Sequence, residues 1–332
     1  MLRLVPDWET KPDWLIHQDV ADVAIDAVDR VYLLTRRSAQ VVVYEKDGSF
    51  VTTWGHGHFS DSPHGITIDR LNRVFVVDEL RNSVEIFTTD GMLLRAIGPT
   101  QIASSTGAEP SIPSIYDRIG SIKRSAGPYN RPTKVAVSAS GKIFVSDGYG
   151  NARVHRFDDQ GNYEMSFGTP GVGPGQFHCP HNVAVGPDGL IYVCDRENDR
   201  VQLFDFDGKF VGEWTDVQRP AAIAFRGDLV FVAEMAVREG RRSFRTGIAR
   251  QSVPARLSVR DSEGAVLDNW QHSDPCSPYG LTAPHGLAID SVGDVYIAEV
   301  TWTSGGRGNM FPADCHTLRK LSPSAMPSKA DH

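Results

Sequence analysis

Short apolar runs, rich in Val, Ile, Phe and Tyr and separated by Gly, Asp, Asn and Pro, recur along this chain in a phrase of roughly 40 residues. One copy runs through His64–Asp69, Arg73–Asp78, Ser83–Phe87 and Gly91–Gly98. The next runs through Thr133–Val137, Lys142–Asp147, Arg153–Phe157 and Gly161–Gly168, and a third through His181–Val185, Leu190–Asp195, Arg200–Phe204 and Gly208–Trp214. Weaker copies at Val20–Trp54, Ala221–Trp270 and Pro284–Leu321 bring the set to six. Four short, β-branched, turn-bounded strands per copy predict an all-β chain folded as a six-bladed β-propeller, one blade per copy. No segment carries helical periodicity.

The last copy has only three strands before the polar Ser322-Pro323-Ser324, and an orphan apolar stretch, Leu2–Val5, precedes the first. The N-terminus is therefore expected to supply the outer strand of the last blade, removing the open sheet edges a ring would otherwise leave. Residues 1–325 read as one propeller domain and residues 326–332 as a polar tail. Insertions break the period at Pro99–Pro128, Met235–Arg256 and Thr301–Cys315. The second holds Arg238, Arg241, Arg242, Arg245, Arg250 and Arg256 with few acids, and reads either as a solvated or inter-subunit surface or as an anion-binding lid.

Composition narrows the partners. With 40% hydrophobic and 23% charged residues and a net charge of -7, the chain is globular and acidic. That balance argues against nucleic acid or an anionic membrane. The N-terminus lacks the apolar core of a signal peptide, and no run of 18 or more apolar residues occurs, so a cytoplasmic protein is expected. The four cysteines, Cys179, Cys194, Cys276 and Cys315, show no CxxC pairing and read as buried thiols.

The candidate chemistry lies in three phrases: Pro63-His64-Gly65-Ile66, Pro180-His181-Asn182-Val183 and Pro284-His285-Gly286-Leu287. Each opens the first, innermost strand of its blade. The matching positions elsewhere are Ala21, Thr133 and Ala221. Histidine thus occupies blades 2, 4 and 6, an alternation that chance gives about one time in ten. Three neutral imidazoles converging on the axis make a metal site with an open position, as in catalytic zinc. Other histidines, such as His58 and His155, read as surface or satisfied side chains.

An acid closes the second strand of most blades, as Asp78, Asp147, Asp195, Glu234 and Glu299, and reads as an acceptor for the turn that follows. Residues just after it face the histidines: Arg36 or Arg37, Glu79 and Arg81, Tyr149, and Arg196. A tyrosine near a dication and guanidinium groups is expected to have a lowered pKa and to serve as a general base. An arginine there can hold a substrate carboxylate.

These residues resemble the catalytic core of the peptidyl-α-hydroxyglycine α-amidating lyase family, a propeller of the NHL-repeat type. The stretches that carry the resemblance are Pro132–Val137, Phe144–Asn151 with its Asp-Gly-Tyr, and Gly175–His181 followed by Asp195–Asn198. The resemblance implies zinc, or another divalent metal, on His64, His181 and His285. It also implies a catalytic Tyr149 and active-site arginines at Arg196 and Arg36. The implied reaction cleaves an N-acyl-α-hydroxyglycine, a small molecule bearing a carboxylate, into a primary amide and glyoxylate. Tyr149 would take the proton of the hydroxyl.

Departures stand beside the third histidine. The family's active-site methionine is Ala283, and the acid that helps bind a structural calcium is Gly286, which leaves calcium without that ligand. Gly150 replaces a family disulfide cysteine after the tyrosine, which suits a reducing compartment. Two other readings stay open: a hydrolase using the same metal on an ester, lactone or amide, and a non-catalytic NHL-repeat scaffold.

Overall fold

The structure, a computed structural model, describes residues 2–37 and 40–324. The tail at 326–332 lies outside the described residues. Six four-stranded antiparallel sheets form a ring of blades. Blade 1 comprises Val20–Ile25, Val31–Thr35, Val41–Tyr44 and Phe50–Trp54, and blade 2 starts at Pro63–Ile68. Blades 3, 4 and 5 start at Pro132–Val137, Pro180–Val185 and Pro220–Arg226. Blade 6 comprises Pro284–Ile289, Val295–Glu299 and Leu318–Pro323, and its fourth strand is Leu2–Leu4. Leu2 faces Pro323 and Leu4 faces Leu321, so the two ends of the chain close the ring as expected.

The second strand of each blade is buried on both faces because blades stack face to face, which explains its nearly continuous apolar run. Val31–Thr35 and Val41–Tyr44 are buried throughout, whereas the outer Phe50–Trp54 is half open to solvent. The core is accordingly divided into sectors. One apolar cluster fills each seam between neighbouring blades, such as Phe75, Val84, Tyr129, Val135 and Phe157 between blades 2 and 3. Burial of a Phe or Ile there contributes about 1.5–3 kcal/mol relative to exposure, so the seams hold the ring.

One irregularity recurs in all six blades. The register between the first and second strands slips between Val20 and Asp22, Pro63 and Gly65, Pro132 and Lys134, Pro180 and Asn182, Pro220 and Ala222, and Pro284 and Gly286. The residue between each pair stands on a β-bulge, out of register with its neighbour strand. Proline fits the position before it because a strand start tolerates a missing donor.

Two expectations need correction. Short helices occur, at Ile115–Gly120 and Thr301–Ser304, both inside insertions. The first is capped by Ser114, whose side chain accepts from the Asp117 N–H; at six residues it is too short for its periodicity to register. Second, Cys276 and Cys315 form a disulfide, while Cys179 and Cys194 are buried free thiols. The bridge ties the approach to blade 6 to the end of its insertion, a proximity that only the fold creates. A disulfide belongs to oxidising surroundings, which counts against the cytoplasmic expectation. Among the described residues no helix is long and apolar enough to cross a membrane.

Candidate metal centre

The bulges of blades 2, 4 and 6 carry His64, His181 and His285, all buried. Their ring centroids lie 4.8, 4.7 and 4.5 Å apart, a nearly equilateral triangle on the axis. One ring nitrogen from each falls within 4.8 Å of the others, the grouping that could hold a metal ion. The Nε2 atoms of His181 and His285 approach to 3.1 Å.

The blades between them hold those rings in place. Nδ1 of His64 bonds to the Thr133 carbonyl at 2.8 Å, Nδ1 of His181 to the Ala221 carbonyl at 2.7 Å, and Nδ1 of His285 to the Ala21 carbonyl at 2.7 Å. Thr133, Ala221 and Ala21 are the bulged residues of blades 3, 5 and 1. Because a carbonyl only accepts, each Nδ1 must carry the proton, and each Nε2 lone pair is left facing the axis. Burial lowers the pKa of all three rings well below the usual histidine value, and nearby cationic groups act the same way, so they stand neutral. Neutral imidazoles with fixed tautomers and backbone second partners fit a zinc-like divalent ion.

The strand-end acids serve this placement from an unexpected side. Asp78 accepts from the N–H of Ser60, Asp147 from Asn130, Asp195 from His178, Glu234 from Gln218 and Glu299 from Thr282. All five donors lie three or four residues before the bulge, so the acids mainly pin the loop leading into the first strand. Three of them also take a bond from the turn that follows, as expected: Asp78 from the Arg81 N–H, Asp147 from the Asn151 side-chain amide and Asp195 from the Asn198 side-chain amide.

Tyr149 reaches the centre from blade 3. Its hydroxyl lies 3.2 Å from His64 Nε2, 3.0 Å from His181 Nε2 and 2.9 Å from Arg196 Nη1. The Arg196 guanidinium also lies over the phenol ring, 5.1 Å from its centroid. The expectation of a lowered tyrosine pKa does not hold for the protein alone. Burial pushes Tyr149 up to about 12, and the charge of Arg196 opposes but does not cancel it.

Arg196 is held by Glu197 at 2.8 Å, and Glu197 also binds Arg219 and Arg241. Burial alone would raise the Glu197 carboxyl, but the three guanidiniums outweigh it and hold it well below the usual range. Arg36 stands on the blade 1 rim, its Nη1 4.0 Å from Asp19 and 3.4 Å from the Thr303 hydroxyl. Glu79 binds Arg131, while Arg81 turns away to the His58 carbonyl. His155 is a satisfied core histidine, bonded to Asp147 and Ser166.

Both departures beside His285 have structural counterparts. A side chain at Gly286 would begin 2.2 Å from Asp22 Oδ1, so the missing acid gives way to one from blade 1. Asp22 bonds the Ile66 N–H at 2.8 Å and pairs with Lys134, whose ammonium also reaches the Ile66 carbonyl at 2.7 Å. Beside Ala283, the buried Met235 packs in one cluster with Ala21, Ala221 and Val300. Sequence reasoning missed Met235, yet a signal existed: it directly follows Glu234, as Arg196 follows Asp195.

Two insertions converge on the same rim. Ile119 and Ile122 of the first pack on Tyr149 and Cys179. Phe244 of the arginine-rich insertion stacks between Tyr116 and His178, at 4.2 and 3.8 Å. Around it Arg241 binds Glu197, Arg242 binds Asp117 and Arg245 binds the carbonyls of Asn198 and Asp199.

Comparison with known proteins bears on the fold and on the resemblance. A family model described as a 6-bladed beta-propeller matches residues 128–224. NHL repeat-containing protein 3 of Homo sapiens is 25% identical over 320 residues, covering 90% of this chain and 82% of that protein. A probable peptidyl-alpha-hydroxyglycine alpha-amidating lyase of Caenorhabditis elegans is 26% identical over 266 residues, covering 78% of this chain and 67% of the relative. A gluconolactonase from Xanthomonas campestris shares the fold, with a TM-score of 0.57 at 14% identity, over 91% of this chain and 84% of that one. These relatives bear out the resemblance to amidating lyases and to NHL-repeat propellers.

Proposed function

We propose that the protein is a metal-dependent lyase that cleaves an N-acyl-α-hydroxyglycine into a primary amide and glyoxylate. The observation that carries this reading is the Tyr149 hydroxyl, within hydrogen-bond distance of two converging Nε2 atoms and of a buried guanidinium. His64, His181 and His285 would hold zinc or another divalent ion, which when bound supplies Lewis acidity toward a substrate oxygen.

Tyr149, as the phenolate, would take the proton from the α-hydroxyl. The O–H electron pair becomes the carbonyl of glyoxylate, the C–N bond breaks with its pair on nitrogen, and the proton passes from Tyr149 to that nitrogen. Atoms balance without water or any oxidant. Arg196 favours the phenolate that accepts this proton and that is restored when the proton moves on to nitrogen, and it keeps the ring in place. Arg36 would hold the substrate's α-carboxylate. The acidic balance of the chain fits a small-molecule substrate and neither nucleic acid nor a membrane surface.

The test is glyoxylate release from N-benzoyl-α-hydroxyglycine by zinc-loaded protein, with simple esters and lactones as competitors. Stoichiometric zinc and glyoxylate release are expected. Hydrolysis of an ester or lactone without any glyoxylate would sink the lyase in favour of a hydrolase, and a folded protein that takes up no zinc would favour a scaffold.

A further inference from the structure

A cavity of about 410 Å³ opens beside Tyr149, between blades 2 and 3 and beneath the first insertion. Leu80, Ala103, Ala108 and Tyr149 give it apolar wall, and Arg118 and Arg131 are its two charged side chains. Arg118 comes from the helix Ile115–Gly120, whose next residue, Ile119, is fully buried against Tyr149 and Cys179. The arginine is thus held by a packed element and does not hang from a free loop.

These two guanidiniums are under-used. Nε of Arg118 and Nη1 of Arg131 are buried without a hydrogen-bond partner. Glu79 is the acid that faces them, and it is already bonded to Arg131 at 3.1 Å and to Ser62 at 3.1 Å. Two positive charges therefore share one occupied carboxylate. Burial and the neighbouring Arg131 both lower the pKa of Arg118, as expected for a cation lacking its own counter-ion. Leaving buried guanidinium N–H groups unmatched costs free energy unless a ligand supplies the acceptor.

We propose that this cavity binds the acyl end of the substrate and that Arg118, with Arg131, recognises a carboxylate there. The substrate is then doubly anionic: an α-carboxylate at the reacting centre and a second carboxylate at the end of a short apolar acyl chain. This rests on the lyase reading for the identity of the reacting end. The acyl pocket itself is tested by binding alone. A planar guanidinium fork suits a carboxylate, and the apolar wall suits the methylenes that precede it.

The experiment is calorimetric titration of zinc-loaded protein with N-succinylglycine and with N-butyrylglycine, which lack the α-hydroxyl and differ in the terminal carboxylate. The succinyl compound is expected to bind roughly 10- to 100-fold more tightly. Arg118→Gln should remove most of that preference while leaving the Kd for N-butyrylglycine unchanged, and Arg118→Lys should restore only part of it. Unchanged thermal unfolding of the variants separates loss of recognition from loss of fold.

Equal binding of the two compounds, or no binding of either, overturns the proposal. So does a Gln variant that weakens both equally, because Arg118 would then be serving the α-carboxylate. Failure of the lyase reading shows separately, as absence of glyoxylate while the binding preference persists.

Discussion

Odd and even blades carry the same bulge at the same height but use opposite halves of the residue on it. Blades 2, 4 and 6 offer the side chain, an imidazole; blades 3, 5 and 1 offer the backbone carbonyl that holds its neighbour's imidazole. A six-fold scaffold thereby becomes a three-fold site. Side-chain identity should matter greatly in one set and little in the other, since any residue brings a carbonyl but only histidine brings Nε2. The alternation of His with Ala, Thr and Ala follows from that division of labour.

The contrast breaks most visibly at a ligand. His181→Ala should reduce bound zinc to near zero, by metal analysis, and lower turnover by on the order of 10³-fold or more. Tyr149→Phe, on an odd blade but projecting from the site loop, should keep stoichiometric zinc and lose roughly 10²- to 10⁴-fold in kcat. Full activity in that variant would remove the tyrosine from the chemistry.

A subtler test acts on the carbonyl. A side chain at Gly65 would begin 2.5 Å from the Thr133 oxygen, the acceptor for His64. Gly65→Ala should therefore weaken zinc binding about 10- to 100-fold in competition with a chelator, as loss of a metal ligand's second partner does. Unchanged affinity would show that the carbonyls are bystanders. The smallest effect is expected at Thr133→Ala, which keeps the carbonyl and loses hydroxyl bonds to Ser146 and to the Pro180 carbonyl. Zinc affinity should hold, and stability should fall by about 0.5–1.5 kcal/mol in denaturant unfolding.

How far the sequence could be read follows from the same physics. Blades, strand order and the Leu2–Leu4 closure were legible because short apolar runs and the turn residues that bound them are written locally. The grouping of the three histidines was legible because a repeat marks equivalent positions. The carbonyl partners were not, since Ala21, Thr133 and Ala221 act through backbone, which every residue has. Tyr149 misled in its acidity: charge neighbours can be read from a motif, but full burial cannot. Cys276 and Cys315 lack a spacing signature because the insertion that brings them together has no repeat to align with. Arg118 sat in an aperiodic insertion where nothing singled it out.

The seam where the ring closes runs through the histidine triangle. His285 belongs to the blade completed by Leu2–Leu4, and the carbonyl that steadies it belongs to Ala21 of the first blade. During synthesis on the ribosome, blades 2 to 5 can assemble with His64 and His181 already seated, but the third imidazole finds its partner only when the last-made blade meets the first-made. The centre thus reports completion: until the circle shuts, two imidazoles are positioned and the third is not.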